Sequence, residues 1–314
     1  MTEREGRIKL VAMAAEPVPL FPLSAAPFEL REASARALPL VVASPHSGSD
    51  YPADFLRSSR LDPLTLRRSE DSFVDEIFAG APRLGAPLLR ALFPRAYIDV
   101  NREAYELDPT MFADALPGFV NASSLRVRMG LGTIARIVAS GEEIYPGKLA
   151  FAEARGRIDG LYRPYHRALS RLVSEAEAVF GGCLLVDCHS MPSQVSAPGG
   201  ARAADIVLGD CHGSACAGEI TSAARRFLEE RGFAVAVNSP YAGGFTTLHY
   251  GRPGVCRHAL QIEINRGLYM DERRYERKPA LSCLAAEMAL LVERLGKVFG
   301  DWLAQAPRPS AAAD

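Results

Sequence analysis

Short apolar runs and stretches of helical period alternate along the chain, the pattern of an α/β fold in which helices flank a sheet. Six runs read as strands, at residues 38–44, 96–100, 183–187, 206–208, 234–238 and 259–264. Helical spacing appears at 72–79, where Phe73 and Ile77, and Val74 and Phe78, form i, i+4 pairs. It recurs over 151–180, where Ile158, Leu161, Tyr165, Leu169 and Leu172 share one side and Pro164 predicts a break or kink. Two more amphipathic helices are expected at 214–231, closed by Gly232, and at 279–305.

These elements predict a single α/β domain over residues 36–305. Residues 1–35 are rich in Ala and Pro with weak periodicity and read as a lead-in; 306–314 read as a disordered tail. With 314 residues, 48% hydrophobic and 23% charged, the chain can bury a large core as one unit. A net charge of −1 argues against a general nucleic-acid binder, which would present a basic face. No run approaches the roughly 20 apolar residues of a membrane span. The first ten residues carry charge where a secretory signal would be apolar. Six scattered cysteines (183, 188, 211, 216, 256 and 283) form no C-x-x-C pair and read as buried thiols of a reducing compartment, so the cytoplasm is expected.

Polar residues gather where the predicted strands end. LPLVVAS runs into Pro45-His46-Ser47-Gly48, AYIDV into Asn101-Arg102-Glu103, CLLVDC into His189-Ser190, and LQIEI into Asn265-Arg266. In open α/β sheets, ligands bind outside the carboxyl ends of the strands. Any strand must end in something polar, so each of these is weak alone; four such ends rich in metal ligands and anion binders are less ordinary. A catalytic zinc needs three protein ligands, usually His with a carboxylate, and one open position. His46 and His189 can project from the rim, although a lone His is more often structural. Glu70 and Asp71 stand just before the predicted 72–79 helix, where acids are also expected from capping and the helix dipole. Asp187, two residues before His189, lies on the same strand face and can orient a ligand from behind or cap a turn.

In Gln261-Ile262-Glu263-Ile264-Asn265, alternation puts Glu263 on one face with Gln261 and Asn265, and the isoleucines on the other. A carboxylate in an apolar strand is paired or placed for chemistry, and beside an activated water it can act as general base. Asn101-Arg102 offers a planar guanidinium for a bidentate grip on a carboxylate, the alternative being a salt bridge to Asp99 or Glu103. Arg95, Arg136 and Arg266 are further anchor candidates. The Gly-rich stretch at 241–247 suggests a tight loop that approaches a ligand through its backbone. There is no G-x-G-x-x-G or Walker loop, so nucleotide binding lacks support.

Several of these blocks together resemble the N-formylglutamate amidohydrolase family. The matching stretches include PHSG at 45–48, SED and VDE within 69–76, PRAYIDVNRE at 94–103, GLGTIAR at 130–136 and RPYHRAL at 163–169. They continue through DCHSMPS at 187–193, ADIVLGD at 204–210, NSPYAGGFTTLHYG at 238–251 and LQIEINRGLYMDE at 260–272. The resemblance implies a mixed central sheet flanked by helices, similar to zinc carboxypeptidases and aspartoacylases. It implies hydrolysis of N-formyl-L-glutamate, or a similar N-acyl acidic amino acid, to formate and glutamate in histidine breakdown, with one Zn2+ or another divalent ion. By the same resemblance His46 and His189 are ligands, Asn101 and Arg102 anchor a substrate carboxylate, and Glu263 is the base. The relatives place their acidic ligand about three residues after the first His, where this chain reads Ser47-Gly48-Ser49-Asp50. Glu70 and Asp71 therefore both stand as the carboxylate ligand, Asp71 slightly favoured.

Three rival readings remain at this level: a deacylase or peptidase acting on other carboxylate-bearing amides such as γ-linked glutamate chains; a thiol hydrolase using Cys188; and a metal- or acid-binding module without catalysis. Adjacent strand residues point to opposite faces, which disfavours pairing Cys188 with His189.

Overall fold

The structure, a computed structural model, describes residues 26–194 and 204–306. Seven strands form one mixed sheet: β1 (Phe28–Arg31), β2 (Leu40–Ser44), β3 (Leu88–Ala91), β4 (Cys183–Met191), β5 (Ile206–Gly209), β6 (Val235–Val237) and β7 (Arg257–Asn265). Their spatial order is β1-β3-β2-β4-β7-β5-β6. The central strands β3, β2, β4 and β7 run parallel, while β1 and β5 pair antiparallel with β3 and β7. The expected mixed sheet flanked by helices is thus what the chain forms. The two nine-residue strands β4 and β7 are buried along nearly their whole length, as parallel strands covered on both faces must be.

Period-2 alternation sorts the strand residues into two cores. Val41, Ala43, Cys183, Leu185 and Ala259 face one side, where they meet the helix Arg163–Phe180 through Tyr165, Leu169, Leu172 and Val173. Leu40, Val42, Leu184, Val186, Leu260, Ile262 and Ile264 face the other, against the helices Gly218–Glu229 and Ala280–Gln305. Cys188 belongs to this second core, and burial pushes its thiol well above the usual range. The side of the sheet away from His189 is no place for a nucleophile, which removes the thiol reading.

Four expectations need correction. The run 96–100 is not a strand. Tyr97 and Ile98 donate their amides back to the Pro94 carbonyl, so a turn begins there, and the sheet strand of this region is instead β3, eight residues earlier. Helix 72–79 is a single turn, Val74–Ile77, because Phe73 adopts a left-handed backbone with φ 68°. The break or kink expected at Pro164 is displaced: the irregularity falls just before it, as a π-helical turn, Ile158–Tyr162, that joins helices Phe151–Arg157 and Arg163–Phe180. That wider turn lets the Arg163 amide reach the Ile158 carbonyl and takes in the missing N–H of Pro164. Finally, β1 lies inside the stretch read as a lead-in and forms the sheet edge. The remainder of that lead-in, residues 1–25, and the tail 307–314 lie outside the described residues.

The segment that failed to become a strand still needs partners for its carbonyls. The long helix supplies them from its side chains. Arg157 donates to the Tyr97 carbonyl at 3.2 Å, His166 faces the Val100 carbonyl at 2.8 Å, and Tyr162 donates to the Arg102 carbonyl at 2.7 Å. Asp99, on that segment, is held against His46 at 2.7 Å, with Arg102 beside it at 3.4 Å.

Candidate active site

His46 stands two residues beyond the end of β2, and the Asp71 amide donates to the His46 carbonyl at 3.0 Å, which brings an acid 25 residues away against the first histidine. His189 lies inside β4, not beyond its end, and sits opposite Glu263 of β7 in the ladder register. Asp187 and His189 share a strand face, as do Gln261 and Glu263, so one patch of the sheet surface carries two acids, a histidine and an amide.

His46, Asp71 and His189 are all buried and each offers a ligand atom within 4.8 Å of the other two. Asp71 Oδ2 lies 3.1 Å from His189 Nδ1 and 3.4 Å from His46 Nδ1. The opposite ring nitrogens face carboxylates: His46 Nε2 is 2.7 Å from Asp99 Oδ1, and His189 Nε2 is 3.1 Å from Asp187 Oδ1. Carboxylate–histidine pairs of this kind fix ring orientation at metal sites. The other Asp71 oxygen accepts from Arg266 at 3.0 Å and from Ser190 at 3.2 Å, which leaves Oδ2 turned toward the histidines. His46 Nδ1 is buried and has no hydrogen-bond partner. A buried lone pair with nothing to accept from is costly unless an ion or water occupies the gap. The donor set, two imidazoles and one carboxylate, suits a divalent cation with an open position.

Electrostatics follow the same layout. Burial alone would raise the Asp71 carboxyl, but His189 and His46 hold it well below the usual range. Burial would likewise raise Asp99, and Arg102, Arg95 and His46 hold it well below. Burial would lower His189, yet Asp187 and Asp71 raise it well above the ordinary imidazole value. Taking up an ion here therefore displaces a proton. Burial pushes Glu263 up to about 7, with His189 opposing and Asp71 adding to the shift. Gln261 donates to Glu263 Oε1 at 2.8 Å and fixes the carboxylate's orientation.

The cavity over this patch encloses about 480 Å³ and is lined by His46, Asp71, His189, Glu263, Asn101 and Arg102, and by Arg95, Arg126 and Arg266 among others. The profile of N-formylglutamate amidohydrolase matches residues 38–270. The chain belongs to the N-formylglutamate amidohydrolase family. N-formylglutamate deformylase of Pseudomonas putida is 28% identical over 238 residues, covering 75% of this chain and 83% of its own length. That of Pseudomonas aeruginosa is 28% identical over 240 residues, with 75% and 84% covered. The solved structure of N-formylglutamate amidohydrolase from Ralstonia eutropha JMP134 is 40% identical and covers 87% of this chain and 98% of its own, with a TM-score of 0.82.

Within this amidohydrolase fold the expected residues separate into two groups. His46, Asp71, His189, Glu263, Asn101, Arg102 and Arg95 meet at one cavity. Glu70 does not. Its carboxylate accepts from Tyr51 at 2.7 Å, Ser72 at 2.7 Å and Arg67 at 3.1 Å, a buried network that ties the loop before the one-turn helix. Consecutive residues in extended backbone face opposite ways, so only one of Glu70 and Asp71 can point at the histidines. Arg136 is also absent from the cavity lining: it bonds Asp108 at 3.1 Å and Glu143 at 3.4 Å instead. Asn101 is wedged between the sheet and the Gly-rich loop, accepting the Thr246 amide at 2.7 Å and lying 3.3 Å from His189 Nε2.

The sequence marks Asp99 only as a salt-bridge partner of Arg102 and gives Arg126 no role. For Asp99 a signal existed, an acid two residues before Asn101 in the same run. Arg126 lies in SSLRVRMG, where nothing in the local pattern marks it.

Proposed function

We propose that this amidohydrolase cleaves N-formyl-L-glutamate to formate and glutamate, with one divalent cation of the zinc type held by His46, Asp71 and His189. The observation that carries the reading is the convergence of those three ligand atoms within 4.8 Å, with Glu263 directly across the β4–β7 ladder from His189. The deformylase relatives suggest the substrate. The cation, when bound, supplies Lewis-acid polarisation of the formyl oxygen and lowers the pKa of a water to about 7.

The chain's own residues do the rest. Glu263 takes a proton from the attacking water and returns it to the leaving amine; a carboxyl held near neutrality suits both directions of transfer. Gln261 keeps the carboxylate aimed at the cavity. Asp99 and Asp187 orient the two imidazoles. Asn101 and Arg102 hold a substrate carboxylate, turning encounter into alignment. The catalytic unit of this reading is the expected 36–305 domain together with the edge strand β1.

The cytoplasm is the proposed location; the six cysteines are free. Among the described residues no helix is long and apolar enough to cross a membrane. The partner is a small carboxylate-bearing amide, not a nucleic acid.

Replacing Glu263 with Gln tests the mechanism. We expect formate release to fall by about 10²- to 10⁴-fold while elemental analysis still finds one ion per chain; full activity would refute the assigned role. Formate and amine release from a panel of N-acyl amino acids and γ-linked glutamate peptides separates this substrate from its rivals.

A further inference from the structure

The geometry points to Arg126 as the residue that receives a second carboxylate of the substrate, so that the cavity selects N-acyl dicarboxylic amino acids over monocarboxylic ones. This rests on the function proposed above and deepens it.

Four guanidiniums line the cavity against three carboxylates, Asp71, Asp99 and Glu263. Three of the four are already engaged. Arg95 donates to Asp99 at 2.8 Å. Arg102 donates to the Leu131 carbonyl at 2.8 Å and the Asn101 carbonyl at 2.7 Å, and its third nitrogen lies 3.4 Å from Asp99. Arg266 is taken by Asp71, Ser190 and the Arg68 carbonyl. The Arg126 side chain, on a half-buried residue, has no hydrogen bond or ion pair among the described residues. Its charge is felt at Arg102, where it adds to the downward push of burial. Two like charges facing one partly enclosed space are unfavourable until an anion lies between them. A divalent cation at the histidines makes the cavity more positive still, which favours a dianion over a monoanion.

The backbone under Arg126 is built to hold it there. Ser124 caps its one-turn helix, accepting the Val127 amide at 3.0 Å, and donates to Glu106 at 2.5 Å. Val127 is buried. The Arg126 carbonyl accepts from the Leu131 amide at 2.8 Å, and the Leu131 carbonyl is the one that accepts from Arg102. The turn that carries Arg126 therefore also braces the Arg102 guanidinium, through the Leu131 carbonyl. Arg102 with Asn101 takes one carboxylate and Arg126 the other.

The test compares N-formylglutamate with N-formylglutamine, its neutral amide counterpart, on wild type, Arg126→Met and Arg126→Lys, with metal content measured throughout. Arg126→Met should lose about 10- to 100-fold in kcat/KM on N-formylglutamate and less than about threefold on N-formylglutamine, with Lys recovering part of the loss. Calorimetric titration with glutamate and glutamine gives the same comparison without turnover: the wild-type preference for glutamate should collapse in Arg126→Met. Equal loss on both substrates, or no loss on either, overturns the assignment. Wild type that hydrolyses neither substrate refutes the proposed function instead, and the titration still decides whether Arg126 receives a carboxylate.

Discussion

A single added methyl group at Gly244 tests whether the position of Asn101 matters. Gly244 has φ −96° and ψ −166°, an extended conformation open to alanine, so Gly244→Ala brings no backbone strain. The contact is the whole effect. A Cβ built there falls 2.6 Å from Asn101 Cγ and 2.5 Å from Oδ1, and closer still to Nδ2, where ordinary contacts begin near 3.4 Å. Something must therefore move by about 1 Å. The Asn101 amide is not free to swing aside, because it is buried, accepts the Thr246 amide at 2.7 Å and lies 3.3 Å from His189. Displacing it loses that bond and shifts the anchor; a misplacement of about 1 Å costs about 10²-fold in rate. Overpacking of this kind destabilises by about 1–3 kcal/mol. The expected outcome is a fall of about two decades in kcat/KM for formate release, with the ion retained and a small drop in melting temperature. Activity within about threefold of wild type would show that the loop yields and that Asn101 need not stay where the structure puts it.

Two further outcomes follow from residues outside the reacting groups. Glu70→Gln should destabilise the fold by about 1–3 kcal/mol, since it weakens a buried network with Tyr51, Arg67 and Ser72; loss of the bound ion in that variant would restore Glu70 as a ligand. Burial pulls His166 down to about 4, with the Val100 carbonyl opposing and His249 assisting, so it is neutral in the folded protein. The unfolded chain takes up a proton below about 6.5, so this residue costs no stability above that pH and costs progressively more as pH falls toward 4. Denaturant titrations at pH 7 and 5 should show wild type losing about 2 kcal/mol more than His166→Gln; parallel losses would refute the shift.

Where the sequence was legible, one alternation decided both packing and chemistry. In β7 the same period that buries Ile262 and Ile264 in one core sets Glu263 and Gln261 on the other face, and β4 repeats it with Cys188 against Asp187 and His189. Helix ends were readable where glycine required a left-handed turn, as at Gly232 with φ 86°. The run 96–100 misled because its apolar residues are buried without belonging to a sheet: Pro94 starts a turn, and side chains replace the ladder. The choice between Glu70 and Asp71 was beyond local pattern, since it depends on the bond from the Asp71 amide to His46 and on Arg266, 195 residues away. Arg126 stayed hidden for a related reason. Its importance lies in the partners it lacks, which only the folded neighbourhood reveals.

The wide turn at Ile158–Tyr162 limits how this protein can change over evolutionary time. Each residue advances a helix by about 100°, so deleting one there would restore regular winding while rotating Arg157 relative to Tyr162 and His166. All three hold carbonyls of the 97–102 segment, and a rotated helix cannot reach them all. Substitutions along the exposed side of this helix should accumulate freely, but the count of residues between Arg157 and His166 should resist insertion and deletion, even where a shorter version would fold more tightly.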